Sequence, residues 1–171
     1  SFPRHHVQVL KKPRPIQQAA SPYASRFVFI LMGGFMIALG IQRWGLHRRI
    51  ALMTVLFVGT RPRSLIAGFM LATAGLSMWI SNTATVLMML PMAIAIINAV
   101  DNPRFGVALI LGIAYSASLG GVGTPIGTPP NIIFMSVYEE TQGIEYSFID
   151  WMKTGVPIVI LGVPIMALWL A

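Results

Sequence analysis

Ser77, Ser81, Asn82 and Thr83 sit close together in the middle of an uncharged run, Ser64 to Val100. Their side chains offer neutral oxygens, which are hard ligands suited to a small cation such as Na+. Ser77 precedes Ser81 by four residues, so on a helix both hydroxyls share one face. A helix ending near Ile80 leaves carbonyl oxygens free, and these suit a cation. A helix beginning after Ser81 or Asn82 leaves free N–H groups and a positive dipole end, and these suit an anion. Ser, Asn and Thr are also good N-caps. A second polar cluster, Gly120-Gly121-Val122-Gly123-Thr124-Pro125-Ile126-Gly127-Thr128-Pro129-Pro130-Asn131, adds freed carbonyls and the Thr124 and Thr128 hydroxyls. Neither cluster contains Asp, Glu, His, Lys or Arg. No proton relay can run on these residues. An anion held among them has to draw its positive field from helix ends, hydroxyls and a bound cation.

The elements that must position these residues follow from composition. The chain has 171 residues, 56% hydrophobic and 10% charged, with a mean hydropathy of +0.74. Soluble domains carry about 25% charged residues. All five acids lie between Asp101 and Asp150, and residues 64–100 and 105–138 hold no ionisable Asp, Glu, Lys, Arg or His. Uncharged apolar runs of about 18 residues or more are membrane-span candidates. The chain therefore reads as an all-α integral membrane protein. The net charge of +7 reflects basic residues at the ends of apolar runs, not a nucleic-acid surface. With no cysteine, disulfides, thiolate metal sites and cysteine nucleophiles are excluded. The Gly121-Val122-Gly123 spacing is not a dinucleotide fingerprint, and no lysine follows Gly127-Thr128 as a phosphate loop requires. No nucleophile–base or carboxylate pair lies in the apolar segments, so the chain does not read as an enzyme and no organic cofactor is expected.

Residues 1–26 are basic, polar and broken by proline, a loop or truncated junction with no signal-peptide core. The absence of an initial Met and a last apolar segment, Val156 to Ala171, suggest a fragment. Residues 27–63 read as a membrane helix, Phe27 to Ile41 extended to Trp44, followed by a helix lying along the membrane surface over 50–58. Residues 64–171 hold the rest. The run 64–100 is roughly 55 Å long as a straight helix, too long for one span, so it predicts two arms, 65–80 and 83–100, around Ser81-Asn82-Thr83. Its length leaves open whether this hairpin crosses fully or enters and returns. Residues 105–138 predict a helix interrupted over 120–131, where four glycines and three prolines fall in twelve residues. Residues 150–171 predict a partial last span. The arginines of 42–63 place that stretch in the cytoplasm, and the acidic loop 139–150 faces out; the basic residues 1–26 then fall on the outer side, against the rule. Two broken helices within apolar segments are tolerated only against protein or a watery cavity, and they point to a transporter's binding site.

The stretch Ser77-Met78-Trp79-Ile80-Ser81-Asn82-Thr83-Ala84-Thr85, followed by Pro91 and by Gly127-Thr128-Pro129-Pro130-Asn131, resembles the divalent anion/sodium symporter (DASS) family. So does the segment from Gly33-Gly34-Phe35 to Arg49-Ile50-Ala51-Leu52. The resemblance covers roughly residues 20–171, and residues 1–19 match no motif of the family. It implies an inverted-repeat secondary transporter, of which this chain is the N-terminal half, with a re-entrant helical hairpin and an interrupted transmembrane helix. It implies that Ser81, Asn82, Thr83, Thr128 and Pro129 contact the substrate. It implies that Ser77, Ser81, Asn82 and the Gly127 carbonyl bind a first sodium. It further implies sodium symport of C4-dicarboxylates or citrate across the plasma membrane by a homodimer; carriers of sulfate or arsenite, or proton-coupled ones, share such an architecture.

Overall fold

The computed structural model describes residues 26–59, 61–100 and 102–170. The expected basic loop 1–26 lies outside them except for Arg26. Among the described residues, the regular structure is entirely helical. The helices are α1 (Arg26–Arg43), α2 (Leu46–Val58), α3 (Pro62–Ser77), α4 (Asn82–Val100), α5 (Pro103–Val122), α6 (Pro129–Gln142) and α7 (Phe148–Leu170). By length and composition, α1, α4, α5 and α7 are each able to cross a membrane. The chain is an all-α membrane protein.

The helix boundaries follow from local chemistry. Proline opens α3, α5 and α6 at their first turns, where its missing N–H leaves no bond unmade. Asn102 caps α5, its Oδ1 accepting from the N–H groups of Arg104 and Phe105 at 3.1 and 3.3 Å. Gly143 ends α6 in the left-handed region at φ 66° and donates its N–H to the Glu139 carbonyl. Pro91 lies within α4, and Pro157 and Pro164 within α7, without ending either helix.

The core is built around α3 and α5, which share the largest interface. α5 turns Phe105, Leu109, Ile113, Ala117 and Gly120–Gly121 to one side, the i, i+4 stripe of a packed helix. α3 buries residues on most of its circumference, including Phe69, Met70, Thr73, Ala74 and Ser77. Small residues let the backbones approach. A Cβ on Gly120 would lie 2.3 Å from the Ala74 carbonyl oxygen, and one on Gly112 would lie 3.0 Å from Met70. α4 packs on α5, and α7 on both α3 and α5. α1 rests on the bundle where Gly34 meets Ile126.

Two details differ from the sequence expectation. α3 ends at Ser77 and α4 begins at Asn82, so the linker is 78–81 and Asn82 and Thr83 form a first helical turn. Ser81 fixes that turn: its carbonyl accepts from both the N–H and the hydroxyl of Thr85. The interruption after α5 is also shorter than the glycine-rich window, covering only 123–128. Gly120 and Gly121 remain helical because they are the surface on which the hairpin packs.

Candidate functional site

The 78–81 linker and the 123–128 break meet, and the polar residues of both converge there. Ser77 is fully buried. Its hydroxyl oxygen lies 2.7 Å from Asn82 Oδ1 and 2.7 Å from the Ala117 carbonyl oxygen. A hydroxyl has one proton, so it can serve only one of these acceptors at a time.

Gly127 packs directly on this pair. A Cβ there would lie 2.5 Å from the Gly121 oxygen and 3.0 Å from the Ser77 carbonyl oxygen. Gly121 in turn faces Asn82: its Cβ would fall 2.4 Å from Asn82 Oδ1. Only glycine fits at either position without a shift.

The freed carbonyls divide into two classes. Five of them are satisfied by protein. Gly120 accepts from Gly123 N–H. Gly121 and Thr124 each accept from Asn131 Nδ2 at 2.8 Å. Val122 accepts from the Trp151 indole at 2.8 Å. Met78 accepts from the Thr124 hydroxyl. The carbonyls of Ser77 and Gly127, like those of Trp79, Ile80, Gly123, Pro125 and Ile126, receive no hydrogen bond among the described residues. The Ser77 hydroxyl meets Asn82 Oδ1 and the Gly127 backbone packs on the Ser77 carbonyl, so neutral oxygens of the two breaks lie close together. Among the described residues no cluster of His, Cys, Asp or Glu suited to a metal occurs. The available donor set is therefore of the hard, uncharged kind that fits an alkali cation and not a transition metal.

The remaining expected residues lie around this group. Ser81 and Thr83 are exposed, and Asn82 is half-buried. Ser81 Oγ accepts weakly from Ala84 N–H at 3.4 Å, so it caps α4. Thr128 is half-buried and Pro129 exposed at the start of α6. Thr83, Thr128 and Pro129 make no side-chain hydrogen bond to the Ser77–Asn82 pair among the described residues. Thr83 lies in the first turn of α4, and Thr128 and Pro129 lie at the start of α6. The Thr124 hydroxyl, expected as a free oxygen, is instead engaged, donating to Met78 and accepting from Gly127 N–H at 3.1 Å. Sequence reasoning also missed Gly121, Asn131 and Trp151. The available signal for Asn131 was an amide in a run without charge, which needs partners when buried.

A protein-family model described as citrate transporter matches residues 7–171. The chain belongs to the citrate transporter family. The match agrees with the DASS resemblance and extends it, since residues 7–19, which carried no recognisable motif, fall within it. The chain is 40% identical over 160 residues to the sodium-dependent dicarboxylate transporter SdcS of Staphylococcus aureus strain USA300. It is equally similar to SdcS of strain NCTC 8325. Each alignment covers 86% of this chain and 31% of the relative, so the chain spans about a third of the length of those relatives. The family and these relatives are transporters and not enzymes. With its several apolar helices, this citrate transporter family member is a multi-pass protein of the plasma membrane.

Proposed function

We propose that the chain forms one of two inverted repeats of a homodimeric carrier that imports divalent organic anions, C4-dicarboxylates or citrate, together with Na+. The carrying observation is the meeting of two helix breaks, where the Ser77 hydroxyl lies 2.7 Å from Asn82 Oδ1 and the Gly127 backbone packs on the Ser77 carbonyl. Sodium binds there, with Ser81 at its edge. The substrate carboxylate binds beside it, against the α4 N-terminus, with Ser81, Asn82, Thr83, Thr128 and Pro129. SdcS, a sodium-dependent dicarboxylate transporter by name, supports the choice of ion and substrate.

Coupling follows from this placement. The first turn of α4 offers N–H groups and a partial positive charge. No basic side chain is available to complete the neutralisation, so the bound cation supplies the missing field. Asn82 serves both ligands, its Oδ1 facing the cation and its backbone opening α4 toward the anion. Binding of one ligand thereby favours the other, and the linkage is reciprocal.

α3 and α4 form the re-entrant hairpin of this reading. At 16 residues, α3 is about 24 Å long, short of the roughly 30 Å hydrocarbon core. Its tip is bonded to the 123–128 break through Thr124 and Met78, so it ends against protein. The feet of the hairpin, with Arg61, Arg63 and Arg104, line one cleft on the cytoplasmic side. The acidic loop, with Glu139 and Glu145, lies outside. Arg26 pairs with both of these glutamates, which accounts for a basic residue at the outer end of α1.

The test is uptake of labelled succinate by the full-length protein in vesicles. Uptake driven by an inward Na+ gradient and abolished by its removal is expected. Sodium-independent uptake that survives Asn82→Ala would overturn the mechanism.

A further inference from the structure

We infer that Thr124 and Asn131 are positioning residues that set sodium affinity by holding the Gly127 carbonyl in place before the ion arrives. The inference rests on the sodium site proposed above.

The break between α5 and α6 is a short irregular segment, 123–128, and such a segment has no helical ladder to fix its carbonyls. Two buried side chains replace the ladder. Thr124 is fully buried and Asn131 is 7% exposed. Asn131 comes from the first turn of α6 and reaches back with both hydrogens of its amide. One bonds the Gly121 carbonyl at the end of α5, the other the Thr124 carbonyl within the break, both at 2.8 Å. A single group thus joins the end of one helix, the break and the start of the next helix.

Thr124 works on the other side of the same segment. Its hydroxyl donates across to the Met78 carbonyl in the hairpin linker and accepts from the Gly127 N–H at 3.1 Å. The Gly127 N–H also lies 3.3 Å from the Thr124 carbonyl. Gly127 is therefore held by the residue three before it, and that residue is held by Met78 and Asn131. The result is a Gly127 backbone pressed onto Ser77, whose carbonyl oxygen lies 3.0 Å from where a Cβ would be. Thr124 Oγ1 already donates one hydrogen bond and accepts another, and Asn131 Nδ2 is a donor that cannot bind a cation. Their effect on sodium runs through the geometry of Gly127.

Side-chain chemistry limits the substitutes. Valine has the shape of threonine without its hydroxyl, so Thr124→Val removes the tie to Met78 and the acceptor for Gly127. Thr124→Ser keeps both. Aspartate is close in size to asparagine, but ionised it donates nothing and places its oxygens against two carbonyls.

The experiment uses full-length protein purified in detergent and the same protein in vesicles. Sodium-dependent thermal stabilisation reports binding alone, and succinate uptake reports transport. For Thr124→Val and Asn131→Asp, the half-saturating sodium concentration is expected to rise tenfold or more in both assays. The succinate KM at saturating sodium should change less than threefold, and Thr124→Ser, which keeps both hydrogen bonds, should melt close to the parent without sodium. Thr124→Ser should restore sodium affinity to within about threefold. Parental sodium affinity in Thr124→Val and Asn131→Asp overturns the inference. So does a Thr124→Ser variant as defective as Thr124→Val, or a succinate KM that rises in parallel with the sodium constant. A parent protein with no sodium response overturns the sodium site and the inference with it, whereas a sodium-responsive parent with unaffected variants overturns the inference alone.

Discussion

In the proposed site Asn82 is the residue on which the two binding tasks meet, and its neighbours show how closely it is held. Its Oδ1 is 2.7 Å from the Ser77 hydroxyl, and Gly121 lies directly opposite. Asn82→Ala is expected to raise both the half-saturating sodium concentration and the succinate KM by roughly tenfold or more, about 1.4 kcal/mol per tenfold step, measured by uptake into vesicles. Gly121→Ala should mimic the sodium defect without removing any ligand, because its new methyl group would displace Asn82. Gly33→Ala is the matched control: nothing lies within 4 Å of a Cβ there, and sodium binding should be unchanged. At this scale the meeting of Ser77 and Asn82 was legible, because a hydroxyl and an amide on either side of a break in an uncharged run need polar partners. Thr124 and Asn131 were not legible as braces. Their partners, the carbonyls of Met78, Gly121 and Thr124, become available only once the tertiary fold has broken one helix and brought another's end beside it.

The two arms of the hairpin, similar in composition, have different environments. α3 is enclosed by α5, α2 and α7, whereas α4 buries only Thr85, Met89 and Ala93. The difference is set by the glycines of α5. Gly120 admits the backbone of α3 at Ala74 so closely that a Cβ there would lie 2.3 Å from a carbonyl oxygen. Gly120→Val must therefore push α3 from α5, and overpacking of this kind costs about 1–3 kcal/mol. A lowered melting temperature of the purified full-length protein, together with weaker sodium stabilisation, is the expected outcome. The existence of both arms and of the interrupted helix could be read from run length and from proline and glycine content. The extent of the interruption could not. Intrinsic propensity penalises Gly120 and Gly121 in a helix, while packing against α3 outweighs that penalty by far more contact than propensity can register.

Across the whole molecule, charge is sorted by end. Arg61, Arg63 and Arg104 line a cleft at the feet of the hairpin, and Glu139, Glu145 and Asp150 gather with Arg26 and Lys153 at the other end. The absence of cysteine from this chain makes the polarity directly measurable. In a full-length background freed of cysteine, Thr141→Cys should react with an impermeant maleimide from outside intact cells. Arg61→Cys should react only after the membrane is opened. The opposite pattern would invert the proposed orientation. The Arg26 pairs are exposed, so Arg26→Ala should shift stability by less than about 1 kcal/mol, read from thermal unfolding at low and high salt. The membrane class and the two-ended charge distribution were plain in the sequence, since both follow from where ionisable residues fall. The contact between α1 and the break, Gly34 on Ile126, was not, because a glycine pair in an apolar helix says that something packs closely without saying what.

The unequal lengths of the helices have a consequence for how the protein is made. Segments are handed to the bilayer one at a time as they leave the ribosome, and those that are long and apolar are retained. α4, α5 and α7 meet that condition alone; α3 and α6, the two pieces that flank the helix breaks, do not meet the same length criterion. α3 is the first of these to be synthesised and must wait for α4 and α5 before its backbone ends and Ser77 have partners. One ligand of the proposed ion site, Ser77, thus ends a segment poorly able to insert by itself, and its placement depends on neighbours that arrive later in the chain.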